Sequence, residues 1–138
     1  MTNRRPIVID ASAVVALLVD DGPAGEWAAA AATGSILHVP DLMPYEAANI
    51  LRRHALAGIL DAGVASLAHD DLIALPVELC PYGTLAERVW ELRQNLTAYD
   101  AAYAALAELL AVPLVTLDAR LAKAPGPQAR IVCYPDPL

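Results

Sequence analysis

The sequence predicts a single α/β domain built on a mainly parallel sheet, and three observations support this fold class. Short apolar segments rich in β-branched residues alternate along the chain with longer segments whose apolar residues recur at helical spacing. Gly, Pro or helix-capping residues separate these segments. The length of 138 residues suits one domain, without an internal repeat or a low-complexity linker. Strands that alternate with helices are typical of parallel sheets with right-handed crossovers.

Five strands and seven helices are expected along the chain. The first strand is continuously apolar, as in strands that are buried on both faces of a parallel sheet. The strands are predicted at residues 6–9, 35–39, 76–80, 113–117 and 130–133. The helices are predicted at residues 13–19, 23–32, 42–57, 61–74, 82–94, 98–111 and 119–124. Four residues stand at N-cap positions, where a side-chain oxygen accepts from first-turn N–H groups: Ser12, Asp41, Thr97 and Asp118.

Apolar spacing also predicts which helix faces are buried. The predicted stripe residues are Val64, Leu67, Asp71 or Leu72, and Leu75 in the fourth helix, and Leu85, Val89 and Leu92 in the fifth. Trp27 and Trp90 belong either to grooves for a partner or to the core, and the core is the preferred interpretation.

Composition and charge exclude several classes of protein. A hydrophobic content of 57% with 18% charged residues excludes a disordered chain. The net charge of −7 argues against a broad phosphate-binding surface, but not against a nuclease whose acids surround a metal. Asp10 interrupts the apolar run after Arg4 and Arg5, which argues against a signal peptide, and no charge-free run is long enough to span a membrane.

The two cysteines, Cys80 and Cys133, lack the spacing of a zinc site. Each ends a predicted strand, and we interpret both as small buried apolar residues. Unpaired cysteines of this kind fit a reducing cytoplasm, which is the expected compartment.

Four acidic residues occupy equivalent places in the predicted topology. Asp10 and Asp118 end apolar strands, and Glu46 and Asp100 lie in the first turn of helices. Each alone is explained as a cap or as a partner of the helix dipole. Strand ends and the starts of the following helices share one edge of a parallel sheet, so the four carboxylates are expected to converge there.

Converging carboxylates need a counter-charge. Two negative charges 4 Å apart repel by about 4 kcal/mol at an effective dielectric constant of 20. A cluster of them therefore requires protonation or a cation, and a hard divalent ion with oxygen ligands, Mg²⁺ or Mn²⁺, is the natural choice. Such a site activates water and stabilises a phosphoryl transition state.

Basic residues follow two of these acids. Arg52 and Arg53 lie downstream of Glu46, and Arg120 and Lys123 lie downstream of Asp118. They are either ordinary solvated helix faces or a local basic rim for a nucleic-acid backbone, and the sequence leaves both interpretations open.

Four segments together resemble the PIN-domain ribonucleases, and most closely the VapC toxins of toxin–antitoxin pairs. The matching segments are Ile-Val-Ile-Asp-Ala-Ser at 7–12, Tyr-Glu at 45–46 with Asn49, Thr-Ala-Tyr-Asp-Ala-Ala-Tyr-Ala-Ala-Leu-Ala at 97–107, and Val-Thr-Leu-Asp-Ala-Arg-Leu at 115–121. The resemblance implies a three-layer α/β/α fold with five strands in the order 3-2-1-4-5. It also implies a Mg²⁺- or Mn²⁺-dependent endoribonuclease, a homodimer, and a small antitoxin that inserts into the active-site groove.

The resemblance gives each matching residue an expected role. Asp10, Asp100 and Asp118 are expected to hold the metal, and Glu46 to bind it or to orient and deprotonate the attacking water. Ser12 and Thr116 are expected to orient acids or waters, and Asn49 falls near a variable polar position. The candidate RNA contacts are Arg52, Arg53, Arg120 and Lys123.

The favoured function is therefore cleavage of single-stranded or loop RNA by metal-assisted hydrolysis. The alternative is a non-catalytic α/β binding module, for example a receiver-like domain, in which the acids are helix caps. A receiver would need adjacent acids at an early strand end and a Lys at a late one, whereas Asp20 and Asp21 follow a helix and no predicted strand ends in Lys. In the 3-2-1-4-5 order, Cys80 and Cys133 lie on opposite edges and are too far apart for a disulfide.

Overall fold

The computed structural model describes residues 4–138 and is centred on a five-stranded sheet in which every adjacent pair is parallel. The strands are β1 (Arg5–Ile9), β2 (Ser35–Pro40), β3 (Val77–Cys80), β4 (Leu114–Thr116) and β5 (Ile131–Cys133). The helices are α1 (Ala11–Val19), α2 (Pro23–Ala32), α3 (Met43–Leu56), α4 (Ala62–Ala74), α5 (Tyr82–Glu91), α6 (Ala98–Leu110) and α7 (Ala119–Lys123). The strand order is β3-β2-β1-β4-β5, which confirms the predicted fold class and topology.

The central strand β1 carries the most buried part of the sheet. Ile7, Val8 and Ile9 are all buried, as expected for a strand covered on both faces. Val8 is in register with His38 of β2 on one side and with Leu114 of β4 on the other. The carboxyl ends of β1, β2 and β4 therefore point to the same edge of the molecule.

Helix α6 lies against this sheet and is buried along most of its length. Its residues 101–107 are all buried, and five of them are alanines, whose small side chains allow neighbouring elements to approach closely. Thr97 caps its N-terminus as predicted, because its Oγ1 accepts from the Asp100 N–H at 3.2 Å. Ala111 ends the helix in the left-handed conformation, two residues before Pro113.

The two cysteines lie on the outer strands, as expected. Cys80 ends β3 and Cys133 ends β5, which are the two edges of the sheet, and both thiols are free. Cys133 is buried and Cys80 is partly buried, so the interpretation as small apolar residues holds better for the former. No helix of residues 4–138 has the length and apolar character needed to cross a bilayer.

The predicted apolar stripe of α4 is confirmed at Leu72, which is buried, and wrong at Val64 and Leu67, which are exposed. The helix packs through Ala65 and Ala68 together with Leu72. In an alanine-rich helix the apolar positions fit more than one face, and the small residues allow α4 to pack closely on its neighbours.

The tryptophans behave differently from one another. Trp27 packs partly buried against the core and donates from Nε1 to the Asp136 backbone oxygen at 2.8 Å. Trp90 is 65% exposed, with the Arg93 guanidinium 4.8 Å from its ring centroid, so its predicted place in the core is wrong. The buried stripe of α5 runs through Leu85 and Val89 as predicted, and Trp90 lies one position beyond it.

Candidate active site

Asp10 is the most buried of the four predicted acids and is held by three hydrogen bonds. The residue is only 6% exposed and lies at the junction of β1 and α1. Oδ1 accepts from the Ala13 N–H at 3.0 Å and from the Ser12 hydroxyl at 2.7 Å, and Oδ2 accepts from the Thr116 hydroxyl. Asp10, and not Ser12 as predicted, is therefore the N-cap of α1, because its carboxylate reaches the third amide of the helix.

Ser12 and Thr116 connect Asp10 to the end of β4. The Ser12 hydroxyl also accepts from the Leu117 N–H at 3.1 Å, and the Thr116 hydroxyl accepts from the Asp118 N–H at 2.9 Å. Each hydroxyl thus donates to Asp10 and accepts from the backbone that leads to Asp118. Both hydroxyls therefore contact one of the predicted acids, and their role in orienting it stays a prediction.

Asp118 caps the short helix α7, as predicted. Its Oδ1 accepts from the Arg120 N–H at 2.9 Å and forms an ion pair with the Arg120 Nε at 3.5 Å. The Arg120 side chain is 91% exposed, so this pair is held loosely in solvent. By contrast, Asp41 is not a cap, since α3 begins after Leu42 without a side-chain cap.

Glu46 lies in the first turn of α3, and its partner was not anticipated. Its Oε1 accepts from the hydroxyl of Tyr103 at 2.6 Å, and Tyr103 is only 2% exposed. Tyr103 stands one turn after Asp100 on α6, so the same helix carries one acid and the donor to another. The sequence signal was a tyrosine within an alanine-rich buried helix, because a buried phenol needs a hydrogen-bond partner.

The acids are close enough for their charges to interact. Burial raises the pKa of Asp10, despite its three donors, and the charge of Asp118 raises it further. Burial likewise raises the pKa of Glu46, and the charges of Asp100 and Asp10 add to the effect. The pKa of Asp100 is raised by burial and then by Asp118. The four carboxylates therefore lie in one shared electrostatic field.

The donor set suits a hard divalent cation. Four carboxylates and two hydroxyls offer only oxygen ligands, which Mg²⁺ and Mn²⁺ favour. Within residues 4–138, however, no three Asp, Glu, His or Cys side chains stand close enough to hold one ion together. Asp10 and Asp118 are engaged as helix caps, and Glu46 accepts from Tyr103.

The predicted basic residues divide into two groups. Arg120 and Lys123 are exposed on α7, and the charge of Arg120 lowers the pKa of Asp100, which sets this arginine beside two of the acids. Arg52 and Arg53 are exposed farther along α3, and over the described range 4–138 no ion pair joins either one to the acids. Asn49 is exposed one turn after Glu46.

An apolar groove borders the site. It has a volume of about 360 Å³ and lies where β2 and β3 end and where α3, α5 and α6 begin. Tyr45 and Tyr99, which directly precede Glu46 and Asp100, are on its wall, together with Tyr82 of α5.

The receiver-like alternative requires adjacent acids at the end of an early strand. Asp20 and Asp21 do not meet this requirement, because Asp20 is the C-cap of α1 and Asp21 follows it in a loop.

Comparisons with known proteins give matches over most of the chain. The family model described as PIN domain matches residues 7–127. The chain is 44% identical over 129 residues to the VapC ribonuclease Mb0985 of Mycobacterium bovis, covering 94% of this chain and 98% of that protein.

Two solved structures share the fold. VapBC2 from Rickettsia felis, bound to a DNA fragment from the promoter, superposes with a TM-score of 0.65 at 11% identity, covering 94% of this chain and 98% of that one. VapC20 of Mycobacterium tuberculosis, a Sarcin-Ricin loop cleaving toxin, gives a TM-score of 0.60 at 15% identity, covering 78% of this chain and 86% of that one. The chain belongs to the PIN-domain family and, within it, to the VapC ribonucleases, the endoribonuclease toxins of toxin–antitoxin pairs.

Proposed function

We propose that this endoribonuclease requires Mg²⁺ or Mn²⁺ and cleaves single-stranded or loop RNA by hydrolysis. The observation that carries the proposal is the shared field of Asp10, Glu46, Asp100 and Asp118 at one edge of the sheet. Three of these acids have a raised pKa, partly through another of the four, and a divalent cation would relieve that repulsion. VapC20, which shares this fold and is a Sarcin-Ricin loop cleaving toxin, supports an RNA loop as the kind of substrate.

The site residues would have separate roles in metal binding and in activation of the attacking water. Asp10, Asp100 and Asp118 would hold the ion, with Ser12 and Thr116 fixing the orientation of Asp10. When bound, the ion would lower the pKa of water and offset the charge that develops on the phosphate. The Glu46 carboxylate would orient the attacking water and accept its proton through the oxygen that Tyr103 leaves free.

We propose that the phosphate backbone of the RNA is contacted first by Arg120 and Lys123. They are exposed on the helix that Asp118 begins, and a small basic group beside acids suits an otherwise acidic protein with a net charge of −7. Arg52 and Arg53 are weaker candidates, since they lie two turns beyond Glu46, and Asn49 lies between them and the acid.

We propose two protein partners, a small antitoxin and a second copy of this chain. The VapBC2 assembly of Rickettsia felis supports an antitoxin of the VapB kind. An inhibitory segment with apolar residues would fit the groove beside Tyr45 and Tyr99, and a Lys or Arg on it would face the acids. Leu56 and Ile59, both exposed where α3 leads into α4, support a contact with the second copy. The free cysteines suit a cytoplasmic location.

The function is tested by cleavage of a labelled RNA containing hairpin loops. The wild-type protein should cut it with Mg²⁺ or Mn²⁺ and should be inactive in EDTA. Asp10→Ala and Asp100→Ala should abolish cleavage while circular dichroism remains that of the wild type. Asp71→Asn is the matched control, because Asp71 is exposed on α4 outside the site. Wild-type rates in Asp100→Ala with Mg²⁺ would refute the assignment of the acids.

A further inference from the structure

Tyr103 is a buried polar residue whose hydroxyl is bonded to a candidate catalytic acid. Its ring lies in the core, 2% exposed, and its hydroxyl donates to the Glu46 Oε1 at 2.6 Å. The two residues come from different helices, α6 and α3, and are separated by 57 positions in the chain. Their hydrogen bond therefore ties the start of α3 to the middle of α6.

The hydroxyl also lies near the start of α1. Burial and Glu46 raise the pKa of Tyr103, and the nearby backbone N–H of Ala11, the residue after Asp10, partly offsets this rise. Tyr103 thus remains a protonated donor to Glu46 at any physiological pH. One hydroxyl therefore joins the first turn of α3, which holds Glu46, to α6, the helix that carries Asp100.

The contact constrains how Glu46 can act. A carboxylate has two oxygens, and a short bond from a buried donor occupies one of them and restricts rotation of the group. Oε1 is committed to Tyr103, and Oε2 is left for the site. Glu46 otherwise lies in the first turn of α3 at the molecular surface, where a glutamate side chain has considerable rotamer freedom.

We propose that Tyr103 is the positioning residue for Glu46, holding the carboxylate through Oε1 so that Oε2 alone acts on the attacking water or on a metal ligand. This inference rests on the proposed function of the site. Phenylalanine would fill the same core space as tyrosine, so the packing of α6 alone does not call for the hydroxyl. The hydroxyl is explained by the acid that it orients.

Tyr103→Phe tests the proposal, since it removes one oxygen atom and keeps the ring. A crystal structure of the metal-free variant is the first measurement. We expect the Glu46 carboxylate to adopt a different orientation or more than one, while the backbone of α3 and α6 is unchanged. A Glu46 carboxylate that keeps its single wild-type orientation would overturn the proposal.

Kinetics with a loop RNA and Mn²⁺ provide the second measurement. Loss of a group that orients an active-site ligand costs about 10–100-fold in metal affinity or activity. We expect kcat to fall within this range at saturating metal, with KM for RNA changed less than about twofold, because Tyr103 does not touch substrate. A wild-type kcat, or a loss confined to KM, would refute a positioning role.

Two controls separate this role from general effects on the fold. Tyr134→Phe removes the hydroxyl of a tyrosine whose ring packs edge-on against Trp27, and it should leave kcat and the Glu46 orientation unchanged. An equal fall in kcat in that variant would overturn the assignment. If the wild-type protein cleaves no RNA with either metal, the proposed function fails, whereas the crystallographic result on Glu46 still decides the contact.

Discussion

The hydroxyl of Thr116 on β4 donates to the buried carboxylate of Asp10, which directly follows the adjacent strand β1. The same hydroxyl accepts from the N–H of Asp118 at 2.9 Å, so one fully buried side chain connects two candidate catalytic acids across the sheet. Removing this donor would leave Oδ2 of Asp10, a residue only 6% exposed, without its protein partner. Thr116 therefore contributes both to stability and to the placement of Asp10.

Thr116→Val should destabilise the protein by about 1–3 kcal/mol, the usual cost of leaving a buried polar group without its partner. Valine matches threonine in shape, so the change isolates the hydroxyl. The free energy of unfolding from urea titrations measures the effect. Thr116→Ser keeps the hydroxyl and loses one methyl group, which should cost only about 0.8 kcal/mol. Equal stability of the valine variant and the wild type would contradict this role.

The metal-free protein should become less stable relative to Asp100→Asn as the pH rises from about 4 to 7. The pKa of Asp100 is raised by burial and by Asp118, so the folded protein holds this proton more tightly than the unfolded chain. The stabilisation that protonated Asp100 contributes is fully present below the pKa that this residue has in the unfolded chain. It is lost as the pH rises through the pKa of Asp100 in the folded protein. Asparagine carries no charge, so Asp100→Asn does not lose stability through this residue as the pH rises.

Urea unfolding in EDTA at several pH values, compared between wild type and Asp100→Asn, measures the difference. Adding Mn²⁺ at 100 times its Kd should stabilise the wild type by about 2.7 kcal/mol, and the variant by less. A constant difference between the two proteins across this pH range would contradict the raised pKa of Asp100.

The sequence was sufficient where local chemistry decides the structure. An apolar run followed by an acid located the end of β1 at Ile9 to the residue and the end of β4 at Thr116 to within one residue. Thr97 and Pro113 correctly predicted the start and the end region of α6. A capping side chain or a proline affects only the backbone within a few positions of it, so such signals can be read locally. Five apolar strands separated by helices were also enough to predict the parallel sheet.

What the sequence could not provide depends on how elements face one another. The Tyr103–Glu46 bond joins two helices 57 positions apart, and nothing local to either residue indicates the other. The outward face of α4 was misjudged because alanines and larger apolar residues compete for one stripe, and close packing favoured Ala65 and Ala68. Ser12 gave way to Asp10 as the cap because the carboxylate reaches the Ala13 amide, which only the geometry of the turn reveals.

A third prediction on stability concerns the ion pair between Arg88 of α5 and Glu108 of α6. The Arg88 Nε donates to Glu108 Oε1 at 2.7 Å, and Arg88 also donates to the Gly126 oxygen at 3.1 Å. The N–H of Gln128 donates to Glu108 Oε2 at 2.8 Å. The pair thus joins two helices to the loop before β5.

Glu108→Gln should lower the free energy of unfolding by about 1 kcal/mol at pH 7 and by less near pH 3. Burial alone would raise the pKa of Glu108, but the Arg88 and Gln128 hydrogen bonds and the Arg88 charge lower it. The stabilisation is therefore present above the unfolded pKa and is lost as the pH falls through the folded one. Urea titrations at both pH values measure this, with Glu87→Gln on the exposed face of α5 as control. An effect as large at pH 3 as at pH 7 would exclude a charge-dependent contribution.

The last prediction concerns RNA binding by α7. Removing one phosphate-binding side chain from a single-stranded complex makes the dependence of log affinity on log salt concentration shallower by about 0.7. The double variant Arg120→Ala/Lys123→Ala should therefore show a slope of log kcat/KM against log KCl that is shallower by about 1.4, together with a higher KM. The double variant Arg4→Ala/Arg5→Ala removes the same charge at the amino end of β1, on the opposite edge of the sheet from the acids, and is the matched control. We expect its slope to equal that of the wild type, because interactions between charges are largely screened beyond roughly 10 Å at 0.1 M salt.

Equal changes of slope in both double variants would mean that the net charge of the protein, and not contact with α7, governs RNA binding.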